Sequence, residues 1–349
     1  MNLRNGNTSD DAVPVLEVSH LSTTFSTARG PLKAVDDVSL TLQRGETLGV
    51  VGESGSGKSV LVRSIMNILG SRAIVSPSSQ VLFEGRNTRA LTKAEARHFW
   101  GREIAMVFQD PMTSLNPVRK IGHQIVDPIR YHLGLDAKSA TERAVELLDR
   151  VGIPAARRRL GEYPHQLSGG MRQRVTIAIA IACEPKLLIA DEPTTALDVT
   201  VQKQILDLLA ELQVDLGMSM VLITHDLGVV AGYADRIAVM YAGRVVERAD
   251  AIGLFEETRH PYTEALLQSI PRIEYESHTL LHAIEGRPPD MVSPPPGCNF
   301  SPRCEYARTE CRESEPMLVD VGNRHEHACF FPVNSDGPHG LAHSTEGVH

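Results

Sequence analysis

The chain has no apolar run near the roughly 18 residues that a membrane-spanning helix requires, so it is not expected to enter a bilayer by itself. Its longest apolar stretches, around Val175–Cys183 and Leu187–Ala190, have the length of buried core elements. The opening residues MNLRNGNTSDDAVP are polar and lack the apolar segment of a secretory signal, which predicts a cytoplasmic setting. Positive charge is not in excess. Lys and Arg number 35 against 43 Asp and Glu, a formal net charge of −8, so the basic footprint of a nucleic-acid partner is missing. No Cys-x-x-Cys pair is present among the five cysteines, which departs from the usual zinc-ribbon spacing. What is there suits a folded protein: 42% hydrophobic and 22% charged residues provide a core and exclude a disordered chain.

At 349 residues the chain exceeds one average domain, and a large domain with an appendage is expected. Leu16–Phe25 and Val35–Leu42 are rich in apolar and β-branched residues and predict an initial antiparallel sheet. Thr47–Val51 is a short apolar strand leading into a glycine-rich turn, and Val60–Leu69 has helical spacing after it. Residues 110–165 are mostly helical in pattern. Lys186–Asp191 and Met220–Thr224 then read as buried parallel strands separated by the helix Val201–Leu212. Such alternation predicts an α/β fold with a mainly parallel sheet. Beyond residue 260 the character changes. His260-Pro261-Tyr262 opens a short helical segment, and the five prolines of Pro288–Gly297 prevent regular structure. A domain boundary is expected near 255–285.

Three segments carry the chemistry. Gly52-Glu53-Ser54-Gly55-Ser56-Gly57-Lys58-Ser59 fits the phosphate-binding pattern G-x-x-x-x-G-K-[ST]. Its glycines let backbone N–H groups face phosphates, and the following helix adds the positive end of its dipole. Lys58 is expected at the β- and γ-phosphates of a nucleotide and the Ser59 hydroxyl at Mg²⁺. In Leu187-Leu188-Ile189-Ala190-Asp191-Glu192, an apolar strand delivers Asp191 at its C-terminal end, where ligands gather in parallel sheets. Asp191 is expected in the magnesium shell and Glu192 as the group that polarises the attacking water. Leu167-Ser168-Gly169-Gly170-Met171 places a serine and two glycines at a helix start, a second phosphate-binding surface.

The last segment resembles the LSGGQ signature of ATP-binding-cassette (ABC) ATPases, with Met171 where glutamine is commoner. The resemblance implies that the signature of one subunit closes over ATP held by the P-loop of a neighbour. It further implies that Gln109 is the Q-loop residue touching magnesium, that Asp198 in Thr195-Ala196-Leu197-Asp198 belongs to the D-loop at the dimer interface, and that His225 contacts the γ-phosphate. Phe25 stands where the family stacks an aromatic on adenine. The implied cofactors are ATP and Mg²⁺.

Phe108–Pro117, Tyr163-Pro164-His165-Gln166 and Arg259-His260-Pro261-Tyr262-Thr263 are similar to the dipeptide/oligopeptide permease branch. That likeness implies an ATP-hydrolysing subunit at the cytoplasmic face of the bacterial inner membrane, with a paralogous second ATPase, two permease subunits and an extracytoplasmic solute-binding protein. Other cargoes of the branch, nickel chelates, glutathione or antimicrobial peptides, stay open because the ATPase does not touch cargo. A soluble ABC protein acting on nucleic acid or ribosomes would generally carry two cassettes, a coiled-coil insertion or a basic linker, and none is visible. The implied organisation is a tail over 1–12, a nucleotide-binding domain over 13–258 with a helical subdomain at about 110–180, a C-terminal extension over 259–335 and a tail over 336–349.

Cys183, alone in an apolar stretch, is expected to be a small buried hydrophobe. Cys298, Cys304, Cys311 and Cys329 fall within 32 residues of the extension. Four thiolates can hold a [4Fe–4S] cluster, as some relatives do at matching cysteines. Zinc, with His325 or His327 replacing a thiolate, and no metal at all are the alternatives. A structural role is expected for any group bound there.

Overall fold

The computed structural model describes residues 13–195, 197–270 and 284–334, so the expected tails and Ala196 of the D-loop lie outside the described residues. The chain opens with β1 (Leu16–Thr27), β2 (Gly30–Leu42) and β3 (Thr47–Val51), followed by α1 (Lys58–Ile65). Short strands β4 (Ala73–Val75), β5 (Gln80–Phe83) and β6 (Arg86–Asn87) lead to α2 (Lys93–Phe99) and β7 (Ile104–Val107). A helical block comes next: α3 (Pro111–Ser114), α4 (Ile121–Leu133), α5 (Ala137–Arg150), α6 (Ala156–Arg159) and α7 (Gly169–Ile181). Then β8 (Leu187–Asp191), α8 (Val199–Leu216), β9 (Ser219–Thr224), α9 (Leu227–Ala231) and β10 (Arg236–Tyr241) complete the alternation. The chain continues with β11 (Arg244–Asp250), α10 (Ala251–Glu256), α11 (Pro261–Gln268), α12 (Thr309–Glu313), β12 (Val319–Asp320) and β13 (Glu326–His327).

Among the described residues these strands form two sheets. An antiparallel one has the order β2-β1-β5-β6, with β4 on β1. An eight-stranded one has the order β12-β13-β11-β10-β3-β9-β8-β7. Its strands from β10 to β7 are parallel. Both faces are buried, and each strand divides its side chains between them. Leu188, Ala190, Leu222 and Val239 join the core under the helical block. Leu187, Ile189, Ile223 and Met240 join the core under the antiparallel sheet. Covering both faces explains why these strands read as continuous apolar runs.

Two helices differ from expectation at both ends for local reasons. α1 begins at Lys58 because the P-loop feeds it directly, and Asn67 at φ 52 turns the chain left-handed soon after Ile65. α8 is longer than expected. Asp198 caps its start by accepting from the Val201 N–H at 3.0 Å, and Gly217 at φ 62 ends it.

The extension is not a separate body on a linker. Its strand β13 pairs with β11, setting His327 opposite Glu247, so it continues the main sheet. Glu247 is fully buried and its carboxylate accepts from the Arg259 N–H (2.6 Å), the His260 N–H (3.0 Å) and His325 Nε2 (2.8 Å). A buried carboxylate needs such partners to be tolerated. Among the described residues no helix is long and apolar enough to cross a membrane.

Candidate active site

The strand β3 ends where Gly52 must pass the β10 backbone: a Cβ there would lie 2.1 Å from the Met240 carbonyl oxygen, at a φ of 153. Gly57, at φ 103, is held as closely, since its Cβ would meet the Ala34 carbonyl oxygen at 2.3 Å. Only glycine satisfies both demands. The loop between them curls around Lys58, whose Nζ donates to the Gly52 and Glu53 carbonyls at 2.7 and 2.9 Å. Burial lowers the Lys58 pKa from its ordinary value, opposed by the charges of Glu192, Asp191 and Glu53.

Next to it the Ser59 hydroxyl donates to Asp191 Oδ1 at 2.8 Å. Asp191 is fully buried, and its Oδ2 has no hydrogen-bond partner; Arg63 Nη2 stands 3.8 Å away. Desolvation pushes the Asp191 pKa up despite the Ser59 bond. A buried carboxylate with one orphaned oxygen beside a serine hydroxyl is the donor set of a hard divalent cation such as Mg²⁺. These residues therefore fit the ion.

Glu192 follows at φ 46, a conformation that costs a non-glycine residue about 1 kcal/mol. Its N–H donates to the Ile223 carbonyl at 3.0 Å, which holds the turn against β9. The carboxylate oxygen Oε2 accepts from Gln109 Nε2 (2.9 Å) and the Thr195 hydroxyl (2.8 Å). His225, at the end of β9 and largely exposed, brings Nδ1 to 3.7 Å from the same oxygen. The structure thus gathers Lys58, Ser59, Gln109, Asp191, Glu192 and His225 at the C-terminal ends of parallel strands. Gln109 meets Glu192 directly. Thr195, expected only as part of the D-loop, is a further partner of that carboxylate, three residues along the chain.

The signature lies elsewhere. Ser168 caps α7, accepting from the Met171 N–H at 3.3 Å, with Ser168 and Gly169 exposed and Leu167 buried. The nearest neighbours of a Cβ at Gly169 or Gly170 are Leu197 and Val201, not the P-loop. Met171 packs against the core under the helical block. Phe25 is half-buried on β1 opposite Leu32, in the hairpin whose second strand carries Ala34 past Gly57.

Sequence reasoning missed the supports beneath the P-loop. The Glu53 N–H donates to Tyr262 Oη at 2.8 Å, and the Glu53 side chain meets Arg303, 250 residues away. Distances of this kind leave no local pattern.

Cys298, Cys304, Cys311 and Cys329 line one small cavity in the extension. Burial pushes the thiols of Cys298, Cys304 and Cys329 up, the last two to about 11 and about 12. Among the described residues no group of three His, Cys, Asp or Glu is set to hold a single metal ion. The zinc alternative with a histidine ligand does not assemble among the described residues, where no group of three such side chains converges and His325 Nε2 is bonded to Glu247 at 2.8 Å. Cys183 is buried, as expected of a small hydrophobe.

Residues 35–195 match the ABC transporter family, and residues 246–311 match the oligopeptide/dipeptide transporter C-terminal region. A Brucella melitensis protein described as a peptide import ATP-binding protein is 48% identical over 327 residues, 91% of this chain and 97% of that protein. The dipeptide transport ATP-binding protein DppD of Haemophilus influenzae is 49% identical over 323 residues, 93% of this chain and 97% of its own length. A dimeric post-hydrolysis ATP-binding cassette bound to ADP and Pi has a similar fold, with a TM-score of 0.61 and 27% identity, covering 68% of this chain and 98% of that one.

Proposed function

The chain belongs to the ATP-binding proteins of ABC transporters, in the oligopeptide/dipeptide branch, and we propose that it drives peptide import as one half of a two-cassette motor. It is an ABC-type ATPase coupled to transport. The observation that carries the reading is the set of Lys58 and Ser59 at the start of α1 with Asp191 and Glu192 at the end of β8, while the signature glycines neighbour Leu197 and Val201 and not the P-loop.

In this reading the P-loop amides and Lys58 hold the β- and γ-phosphates, and Phe25 stacks on the adenine. Ser59, Asp191 and Gln109 hold Mg²⁺, which supplies charge compensation for the phosphates. Glu192 orients the attacking water, and His225 reaches the γ-phosphate. Leu167, Ser168, Gly169, Gly170 and Met171 close over the ATP of a paralogous second cassette, with Asp198 at that interface. Two permeases, an extracytoplasmic solute-binding protein and a site at the cytoplasmic face of the inner membrane complete the assembly. Uptake of labelled di- and tripeptides by cells carrying Glu192→Gln in this chain tests it. Loss of uptake is expected, and undiminished uptake contradicts the reading.

For the extension we propose a [4Fe–4S] cluster on Cys298, Cys304, Cys311 and Cys329. Such a cluster is several atoms across and takes thiolates set wider apart than one ion does. Bound iron and sulfide in anaerobically purified protein support it; their absence refutes it.

The raised Asp191 pKa gives a signed prediction. The folded, metal-free protein holds that proton more tightly than the unfolded chain, so this residue favours folding at low pH and stability falls as pH rises from the ordinary Asp range through the raised pKa. Asp191→Asn should therefore raise the Tm of the metal-free protein at neutral pH by a few degrees, and weaken that pH dependence. The same variant should lose the added stability that Mg-ATP confers. Thermal melts with and without Mg-ATP check both signs.

A further inference from the structure

The guanidinium of Arg303, from the extension, has its five N–H groups directed at five acceptors. Nε donates to the Glu285 carbonyl at 2.9 Å. Nη1 donates to Glu53 Oε2 at 2.6 Å and Tyr241 Oη at 3.3 Å, and Nη2 to Glu53 Oε1 at 3.0 Å and the Ile284 carbonyl at 3.2 Å. The arginine side chain is 3% exposed, and Glu53 is 27% exposed. This is the bidentate fork that arginine forms and lysine does not. Beneath it, Tyr241 of β10 packs on Tyr262 and Phe300 of the extension, with ring centroids 4.5 and 5.2 Å away. Tyr262 is fully buried and takes the Glu53 N–H. Pro288, Pro289 and Met291 line a small pocket with Glu53, Ser54, Gly55 and Ser56.

Glu53 is an awkward residue to find in a loop that receives phosphates. Its negative charge is close enough to act on the Lys58 ammonium, and unpaired it would repel a triphosphate. We infer that Arg303 is a positioning residue of the nucleotide site, which neutralises the Glu53 carboxylate and, with Tyr262, holds the P-loop from the extension. The extension is then part of the ATP site rather than an appendage beside it. The inference rests on the ATPase assignment and not on peptide cargo or on a metal at the cysteines.

The test is MgATP binding to the full chain, with kcat and KM measured in the assembled transporter. Arg303→Met should raise Kd and KM for ATP about tenfold, equivalent to about 1.4 kcal/mol, with kcat at saturating ATP kept within about twofold. Adding Glu53→Gln to that variant should restore most of the affinity, because it removes the stray charge. Arg303→Lys should fall between, with one donor group in place of a planar fork. It supplies the reading if Arg303→Met does not fold, since Glu53→Gln should relieve its defect also. Arg248→Met serves as the structural control. It breaks another contact of the extension, the pair with Glu326 at 2.7 and 2.5 Å, and should leave ATP affinity unchanged. The inference is overturned by an unchanged Kd in folded Arg303→Met, by an equal loss in Arg248→Met, or by a double variant as weak as the single one.

Discussion

Glu192→Gln is expected to keep ATP binding and to lower turnover by about 10²–10⁴-fold, the range assigned to a positioned general base. The substitution preserves shape and leaves a carbonyl that can accept from Gln109 and Thr195, now at 2.9 and 2.8 Å. The unusual backbone of residue 192, at φ 46 and tied to Ile223, is also unaffected. What disappears is the negative charge that would orient and polarise water. A nucleotide-binding assay and phosphate release on the assembled transporter separate the two properties. Turnover near the wild-type rate would remove Glu192 from the mechanism.

Gly169→Glu should be as damaging to hydrolysis, by about 10²-fold or more, for a different reason. Position 169 is exposed at the first turn of α7, and the nearest atom to an added Cβ is Leu197 Cδ2 at 3.7 Å, ordinary contact. A carboxylate at the start of a helix favours the helix dipole, so folding should be unharmed or slightly improved. The same carboxylate would repel a γ-phosphate brought to the signature by another cassette, where charge stabilisation matters most. Binding of ATP to this chain's own P-loop should persist. The expected signature is therefore a stable protein that binds ATP and fails to support hydrolysis, read by melting, binding and phosphate release on the same sample.

The chemistry at the strand ends was legible because its signals are local. Eight consecutive residues from Gly52 to Ser59 define the phosphate loop, and an apolar strand ending in two acids defines Asp191 and Glu192. Glycine is demanded at Gly52 and Gly57 by backbone carbonyls from β10 and β2, which are remote in sequence, yet the demand leaves its trace in the loop itself. The parallel sheet was legible for a similar reason, since burial on both faces produces unbroken apolar runs.

What stayed hidden depends on pairing between distant segments. Nothing around Arg303 marks it as the partner of Glu53, and nothing around Glu326-His327 announces a strand on β11. The prolines before the cysteines read correctly as irregular chain, but the place of Pro288 and Pro289 beside the P-loop is a tertiary fact. The four cysteines were grouped by sequence and do line one cavity. His325, near them in sequence, bonds Glu247 instead, a buried charge whose need for donors outweighs proximity in sequence. Helix ends were the other weak point, because Asn67, Asp198 and Gly217 set them through single-residue geometry.

In the proposed two-cassette motor this chain holds half of each ATP site, and a second cassette completes it. ATP-driven association tests it most directly: sedimentation of the full chain carrying Glu192→Gln, mixed with its partner cassette, with MgATP or MgADP. A dimer is expected with ATP, separate subunits with ADP, and loss of the ATP dimer when Gly169→Glu is added although ATP stays bound. Association indifferent to both the nucleotide and Gly169→Glu would contradict it.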